Sequence, residues 1–112
     1  MSLAQTRIPI QDADSDVYDD GYLRVEHANY YIACANESLR LPLKEFLIIS
    51  RLVRNIERLV LSEEIWRCAW GDEAPFNAQS LHVHIYRLRQ RLAPFNLHIE
   101  TKVCVGYCLT KK

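Results

Sequence analysis

The segment from Ala78 to Leu92 constrains the fold most, because its apolar residues recur at positions 81, 85, 88 and 92. At about 100° per residue, Leu81, Ile85, Leu88 and Leu92 fall within one narrow stripe, so the segment reads as a helix that buries one side. The opposite pole carries Gln79, Val83, Tyr86, Arg87 and Gln90, with Ser80, His84 and Arg91 on one flank and His82 and Arg89 on the other. Asn77 precedes it as a good N-cap, and Pro94 stops it. The helix bears three arginines and no acid.

Short elements surround it. Leu23 with Val25, Tyr30 to Cys34, and Leu39 with Leu41 alternate like strands. They are separated by His27-Ala28-Asn29 and Asn36-Glu37-Ser38, which predicts three or four short antiparallel strands with turns at those triplets. Pro42 suits a helix's first turn, and apolar positions 43, 46, 47, 49 and 53 continue at helical spacing to about Asn55. After the apolar Leu59-Val60-Leu61, Ser62-Glu63-Glu64 supplies a capping residue and two acids for the positive end of a second helix, closed by Gly71. Beyond Pro94, the stretches 97–101 and 106–109 alternate like a hairpin with its loop from Lys102 to Val105. The expected class is α+β: a small N-terminal antiparallel sheet, three helices and a C-terminal β-hairpin wing, the order of a winged helix-turn-helix.

With 112 residues, 49% hydrophobic and 25% charged, the chain matches one ordinary domain and is too small for most large enzyme scaffolds. No apolar run approaches the roughly 20 residues of a membrane span, and no charged-then-apolar leader opens the chain, which points to the cytoplasm. The formal net charge of zero hides a division. Residues 1–37 hold seven acids against Arg7 and Arg24, a net of −5, whereas 38–112 hold twelve Lys or Arg against seven acids, a net of +5. Between Ala74 and Ile99 there is no acid, and Arg87, Arg89, Arg91, His82, His84 and His98 create a basic field that attracts a polyanion. The five aspartates from Asp12 to Asp20 mark residues 1–20 as an acidic flexible leader, expected to be the cut end of a longer polypeptide, with 21–112 as the folded domain.

Cys34, Cys68, Cys104 and Cys108 form no C-x-x-C pair and no metal-finger spacing, so they read as reduced, buried apolar groups, with no metal or other cofactor expected. His82 and His84 lie two apart, about 200° around a helix, and cannot share a metal or a proton. No Ser-His-Asp set, phosphate loop or paired-carboxylate cleft emerges, which argues against an enzyme.

A face that only needs solubility usually mixes Glu with Lys for intrahelical pairing. Here Arg can bond two guanine acceptors, Gln can address adenine, Val can meet a thymine methyl, and Ser, His and Arg on the flanks can hold phosphates. Taken alone, the helix fits either a major groove or a solvated, protein-binding basic surface.

Further motifs favour the first. Leu41-Pro42-Leu43-Lys44-Glu45-Phe46, Trp70-Gly71, Val83-His84-Ile85-Tyr86-Arg87-Leu88-Arg89, and Thr101 with Val105-Gly106-Tyr107 occur in order over Tyr22 to Leu109. In these the sequence resembles the DNA-binding output domain of OmpR/PhoB-type response regulators. The resemblance implies a third helix in the major groove of double-stranded DNA, a wing in the adjacent minor groove, and a loop between helices one and two that can touch RNA polymerase. Carried over residue by residue, it makes Val83 and Arg87 base readers. Trp70, Ser80, His84, Arg89 and Arg91 become phosphate contacts, Thr101 and Lys102 the wing's contacts with Thr101 as its anchor, and Asn55, Ile56, Glu57 and Arg58 the polymerase-facing loop. It further implies head-to-tail homodimers on tandem repeats and an upstream receiver domain in a two-component phosphorelay.

The sequence departs from the family pattern at Gln79, His82 and Tyr86, and in the wing at Val103 and Cys104, where the family has Arg and Gly. The family's capping Ser falls on Leu61, so Ser62 is expected to cap the second helix one residue late. Fewer basic contacts imply weak or dimer-dependent binding. The rival reading is a winged-helix module that binds protein through Val83, Tyr86, Val103 and Val105.

Overall fold

The computed structural model describes residues 16–111, which fall into two compact units divided between Arg40 and Leu41. In the first, strands β1 (Val17–Asp19), β2 (Leu23–Glu26), β3 (Tyr31–Cys34) and β4 (Glu37–Leu39) form an antiparallel sheet in sequential order. Leu23 and Val25 on β2, and Ile32, Ala33 and Cys34 on β3, are buried. Strand β1 lies inside the stretch read as a flexible leader. Composition misjudged these three residues, because Val17, Tyr18 and Asp19 pair with Glu26, Val25 and Arg24. Asp19 also binds Arg24 at 2.8 Å and accepts a bond from the Gly21 N–H, so its charge is used locally. Of the leader, residues 1–15 lie outside the described residues.

The turns shift by a residue from their expected places. Tyr30 closes the 3-10 turn His27–Asn29 at φ 52° and is not part of β3. The β3–β4 hairpin turns at Ala35 and Asn36, with Cys34 paired to Glu37. Both turn residues have positive φ (51° and 66°), as a two-residue loop must to follow the strands' twist, and the expected turn residues Glu37 and Ser38 are in β4.

The second unit contains helices α1 (Leu43–Arg54), α2 (Ser62–Trp70) and α3 (Ala78–Leu92), and strands β5 (Leu59–Leu61), β6 (Leu97–Lys102) and β7 (Gly106–Lys111). The hairpin of β6 and β7 matches the expected wing. It gains a third strand, giving the order β5-β7-β6 with Val60 opposite Tyr107. Gly106 permits this pairing: a Cβ there would overlap the Val60 carbonyl oxygen.

In this unit core residues come from every helix and strand, including Phe46, Ile49, Leu52, Val60, Ile65, Leu81, Ile85, Leu88, Leu97, Ile99 and Leu109. The buried face of α1 differs from the expected one: Leu43 is exposed, while Glu45, Ile48, Ser50 and Leu52 are buried, so the helix is covered on more than one side. Ser62 does not cap α2. It is the first helical residue behind the N-cap Leu61, and its N–H donates to the Val105 carbonyl (3.1 Å), which satisfies an orphan donor from the wing. The cysteines divide evenly. Cys34 and Cys108 are buried, with burial pushing the Cys34 thiol up to about 11, while Cys68 and Cys104 are exposed, against the expectation that all four are buried.

Candidate nucleic-acid interface

Helix α3 begins where its sequence says it should: the Asn77 side chain accepts the Ser80 N–H at 3.0 Å. Leu81, Ile85, Leu88 and Leu92 are at most 1% exposed, which leaves the opposite pole in solvent. Val83 is 40% and Tyr86 62% exposed, and Arg87, also exposed, forms no ion pair among the described residues. Gln90 donates to the Tyr86 hydroxyl at 3.2 Å and steadies that ring against the helix.

One flank is built around indoles. Trp70 stacks on Trp66 (centroids 3.9 Å, planes 6° apart) and meets the His84 ring edge-on at 5.2 Å. His84 Nδ1 lies 2.9 Å from the Ser80 carbonyl, which can only accept, so Nδ1 carries the proton and Nε2 is left for a ligand. Trp66 donates to the Ala74 carbonyl (2.9 Å) and packs edge-on against Phe76, which ties down the α2–α3 connection. Trp70, Ser80 and His84 are therefore brought together. Lys44 joins them, its Nζ 5.4 Å from the Trp70 ring. Sequence reasoning missed this cation, because only tertiary packing carries the first turn of α1 to the flank of α3.

The other arginines expected on phosphates are engaged inside the protein. The Arg89 guanidinium donates to the Ile99 carbonyl through Nε (2.9 Å) and Nη2 (2.7 Å), and Nη2 also reaches the Thr101 hydroxyl (2.6 Å). Arg91 Nε lies 3.2 Å from Glu45 Oε1, on a side chain only 1% exposed. That oxygen is within ion-pair distance but makes no hydrogen bond, so Arg91 answers the buried charge by proximity.

The wing turn is closed by Val105 N–H donating to the Lys102 carbonyl (2.9 Å), with Cys104 at φ 64°, a conformation that favours glycine. Lys102 is exposed, and Val103 is 80% exposed at the tip. Between the wing and the first turn of α3 lies a cleft of about 420 Å³ lined by Phe76, Leu81, His82 and Val103. In the α1–β5 loop, Asn55 and Ile56 are half-buried and Arg58 is exposed. Glu57 is fastened to β7, its N–H donating to the Leu109 carbonyl (2.9 Å) and its carboxylate accepting the Lys111 N–H (3.2 Å). Among the described residues no group of His, Cys, Asp and Glu could hold a metal ion, and no helix is long and apolar enough to cross a membrane.

Residues 36–109 match the model of a family described as the C-terminal domain of transcriptional regulatory proteins. The chain belongs to this family. Its members include the OmpR/PhoB-type DNA-binding domains, and relatives agree. Over 100 residues the chain is 31% identical to the sensory transduction protein RegX3 of Mycolicibacterium smegmatis, covering 87% of this chain and 44% of that protein. It superposes on the response regulator DrrB of Thermotoga maritima, an OmpR/PhoB homolog, with a TM-score of 0.70 and 28% identity, over 85% of this chain and 44% of that one. It shares its fold with the Klebsiella pneumoniae RstA DNA-binding domain, solved in complex with the RstA box (TM-score 0.70, 21% identity, 84% and 96% coverage). The chain spans about half the length of the curated relatives it matches. As an OmpR/PhoB-type domain it is a DNA-binding output module of the response-regulator class.

Proposed function

We propose that this domain recognises a specific double-stranded DNA sequence by laying the exposed face of α3 in the major groove, as the output end of a longer bacterial response regulator in the cytoplasm. The observation that carries the reading is the solvent exposure of an acid-free helix face with Val83, Tyr86 and Arg87 at its centre. Arg87 has the donor fork for guanine, and Val83 offers an apolar surface to a thymine methyl. Ser80, Trp70 and Lys44, beside the His84 ring, face one phosphate strand, and Lys102 with the wing serves the other side. The loop of Asn55, Ile56, Glu57 and Arg58 is proposed to meet RNA polymerase, with Arg58 as its exposed charge. An upstream receiver domain would promote head-to-tail pairing on tandem sites. With Arg89 and Arg91 already engaged, few cations remain to neutralise phosphates, so affinity for one isolated site should be modest and its salt dependence shallow.

Duplex titration at two salt concentrations, on a site selected from a random pool, tests this. Arg87→Ala should cost roughly 1–3 kcal/mol on the selected site and relax one base position. An equal loss on every sequence would make Arg87 a phosphate contact, and no binding even at low salt would remove the DNA reading. A second reading has its own support in the exposure of Val83, Tyr86, Val103 and Val105: an apolar surface of that kind serves a protein partner. It predicts a partner whose binding survives Arg87→Ala and fails on Tyr86→Ala.

A further inference from the structure

We infer that Arg89 is a positioning residue: its guanidinium pins the wing to α3 and sets the angle between the two parts of the DNA-binding surface. This rests on the reading of α3 and the wing as that surface. In the order β5-β7-β6, strand β6 is an edge strand, paired on one side only. The carbonyls along its open edge have no strand partner. Arg89 takes one of them, directing both Nε and Nη2 at the Ile99 oxygen and sharing Nη2 with Thr101 Oγ1 two residues further on. A planar fork can hold two acceptors at fixed spacing, whereas an ammonium group is a point charge on a flexible stem. The hairpin is fastened from its other strand as well, by the Ser62 N–H on the Val105 carbonyl and by the β5–β7 pairing across Gly106. Held at α2 and at α3, the wing has little freedom to swing, and Thr101 finds its anchoring partner in Arg89. Three short bonds thus commit the Nε and Nη2 hydrogens of a residue that looks like a DNA contact to the protein.

Two variants test the pin in the free protein. Arg89→Lys retains the charge but not the fork, and Thr101→Val removes one bond at an exposed position where folding is not at risk. Each should speed amide exchange of the wing turn around Val105, by roughly tenfold for Arg89→Lys given the strength of charge-assisted bonds. Unchanged exchange in both variants would overturn the pin. On DNA, Arg89→Lys should lose about tenfold on a duplex that spans the wing's footprint, with the salt slope unchanged, and nothing on a duplex truncated on the wing side. In a double-variant cycle it should also remove most of the effect of Lys102→Ala, since a wing out of place cannot use its lysine. Wild-type affinity of Arg89→Lys on that duplex, or a slope lower by about one in Arg89→Ala, where the charge itself is removed, would make Arg89 a phosphate contact and overturn the inference. If the unaltered domain binds no duplex, the functional reading falls, and amide exchange alone still decides whether Arg89 pins the wing.

Discussion

Helix α3 and the wing, the two parts of the proposed DNA-binding surface, expose their groups in opposite ways. Helix α3 is self-contained: its stripe and its outer face come from fifteen consecutive residues and its cap from Asn77 just before them, and Arg87 projects without an ionic partner among the described residues. The wing is held by others, through Arg89 at Ile99 and Thr101, Ser62 at Val105, and the close approach of Val60 to Gly106. Its tip shows Val103 to solvent with Lys102 beside it. Counting cations along a sequence therefore overstates the charge available to a ligand. Of three arginines on α3, one is bonded to the wing and another sits against a buried carboxylate.

The largest effect expected separates the two sides of α3. Leu88 is wholly buried, so Leu88→Ala should cost roughly 2–5 kcal/mol in denaturant unfolding, whereas Arg87→Ala should leave the midpoint unmoved. If both shifted stability alike, the two-faced helix would be wrong.

Next comes the arginine that the sequence makes look like a phosphate contact. Arg91→Ala leaves the Glu45 carboxyl buried without its cation, a loss of about 2 kcal/mol once the exposure of Arg91 is discounted. Adding Glu45→Leu should restore much of that stability, and failure to do so would mean the pair is not the cause.

A smaller change should appear in the wing. Cys104 at φ 64° occupies a region that glycine enters freely, so Cys104→Gly should raise the thermal midpoint, by no more than about 1 kcal/mol in stability. A lower midpoint would show that the thiol packs usefully despite its exposure.

The N-terminal sheet supplies the smallest effect and the electrostatic contrast to the acid-free helix. The Gly21 N–H and Arg24 hold the Asp19 carboxyl below its ordinary 3.8, and Asn29 and Arg24 hold Glu26 below its ordinary 4.5. Depressed values mean that this stabilisation is complete above the ordinary pKa and is lost as pH falls through the folded one, so the sheet should weaken on acidification below about 4.5. Titration of both carboxyls by NMR checks the direction, and normal values in the folded protein would refute it.

Much of the fold was legible because it rests on local rules. Asn77 as cap, the 81-85-88-92 stripe and the alternation of β6 with β7 are properties of neighbours in the chain, and each stands where the sequence predicts. Misreadings and omissions arose where a distant partner decides. Val17 to Asp19 lie in an acidic stretch and become a strand because β2 offers an edge. Leu59 to Leu61 pair with β7, some 45 residues onward, and Ser62 is relieved of capping by a wing carbonyl. Lys44 reaches Trp70 for the same reason.

By itself, then, the sequence determined that α3 buries its 81-85-88-92 side and turns a basic, acid-free face outward, since periodicity and charge travel with the residues. Tertiary structure decided how that charge is spent. A guanidinium bonds whichever acceptor the fold brings near, and only folding brings Ile99 and Thr101 to Arg89, and Glu45 to Arg91, while leaving Arg87 in water.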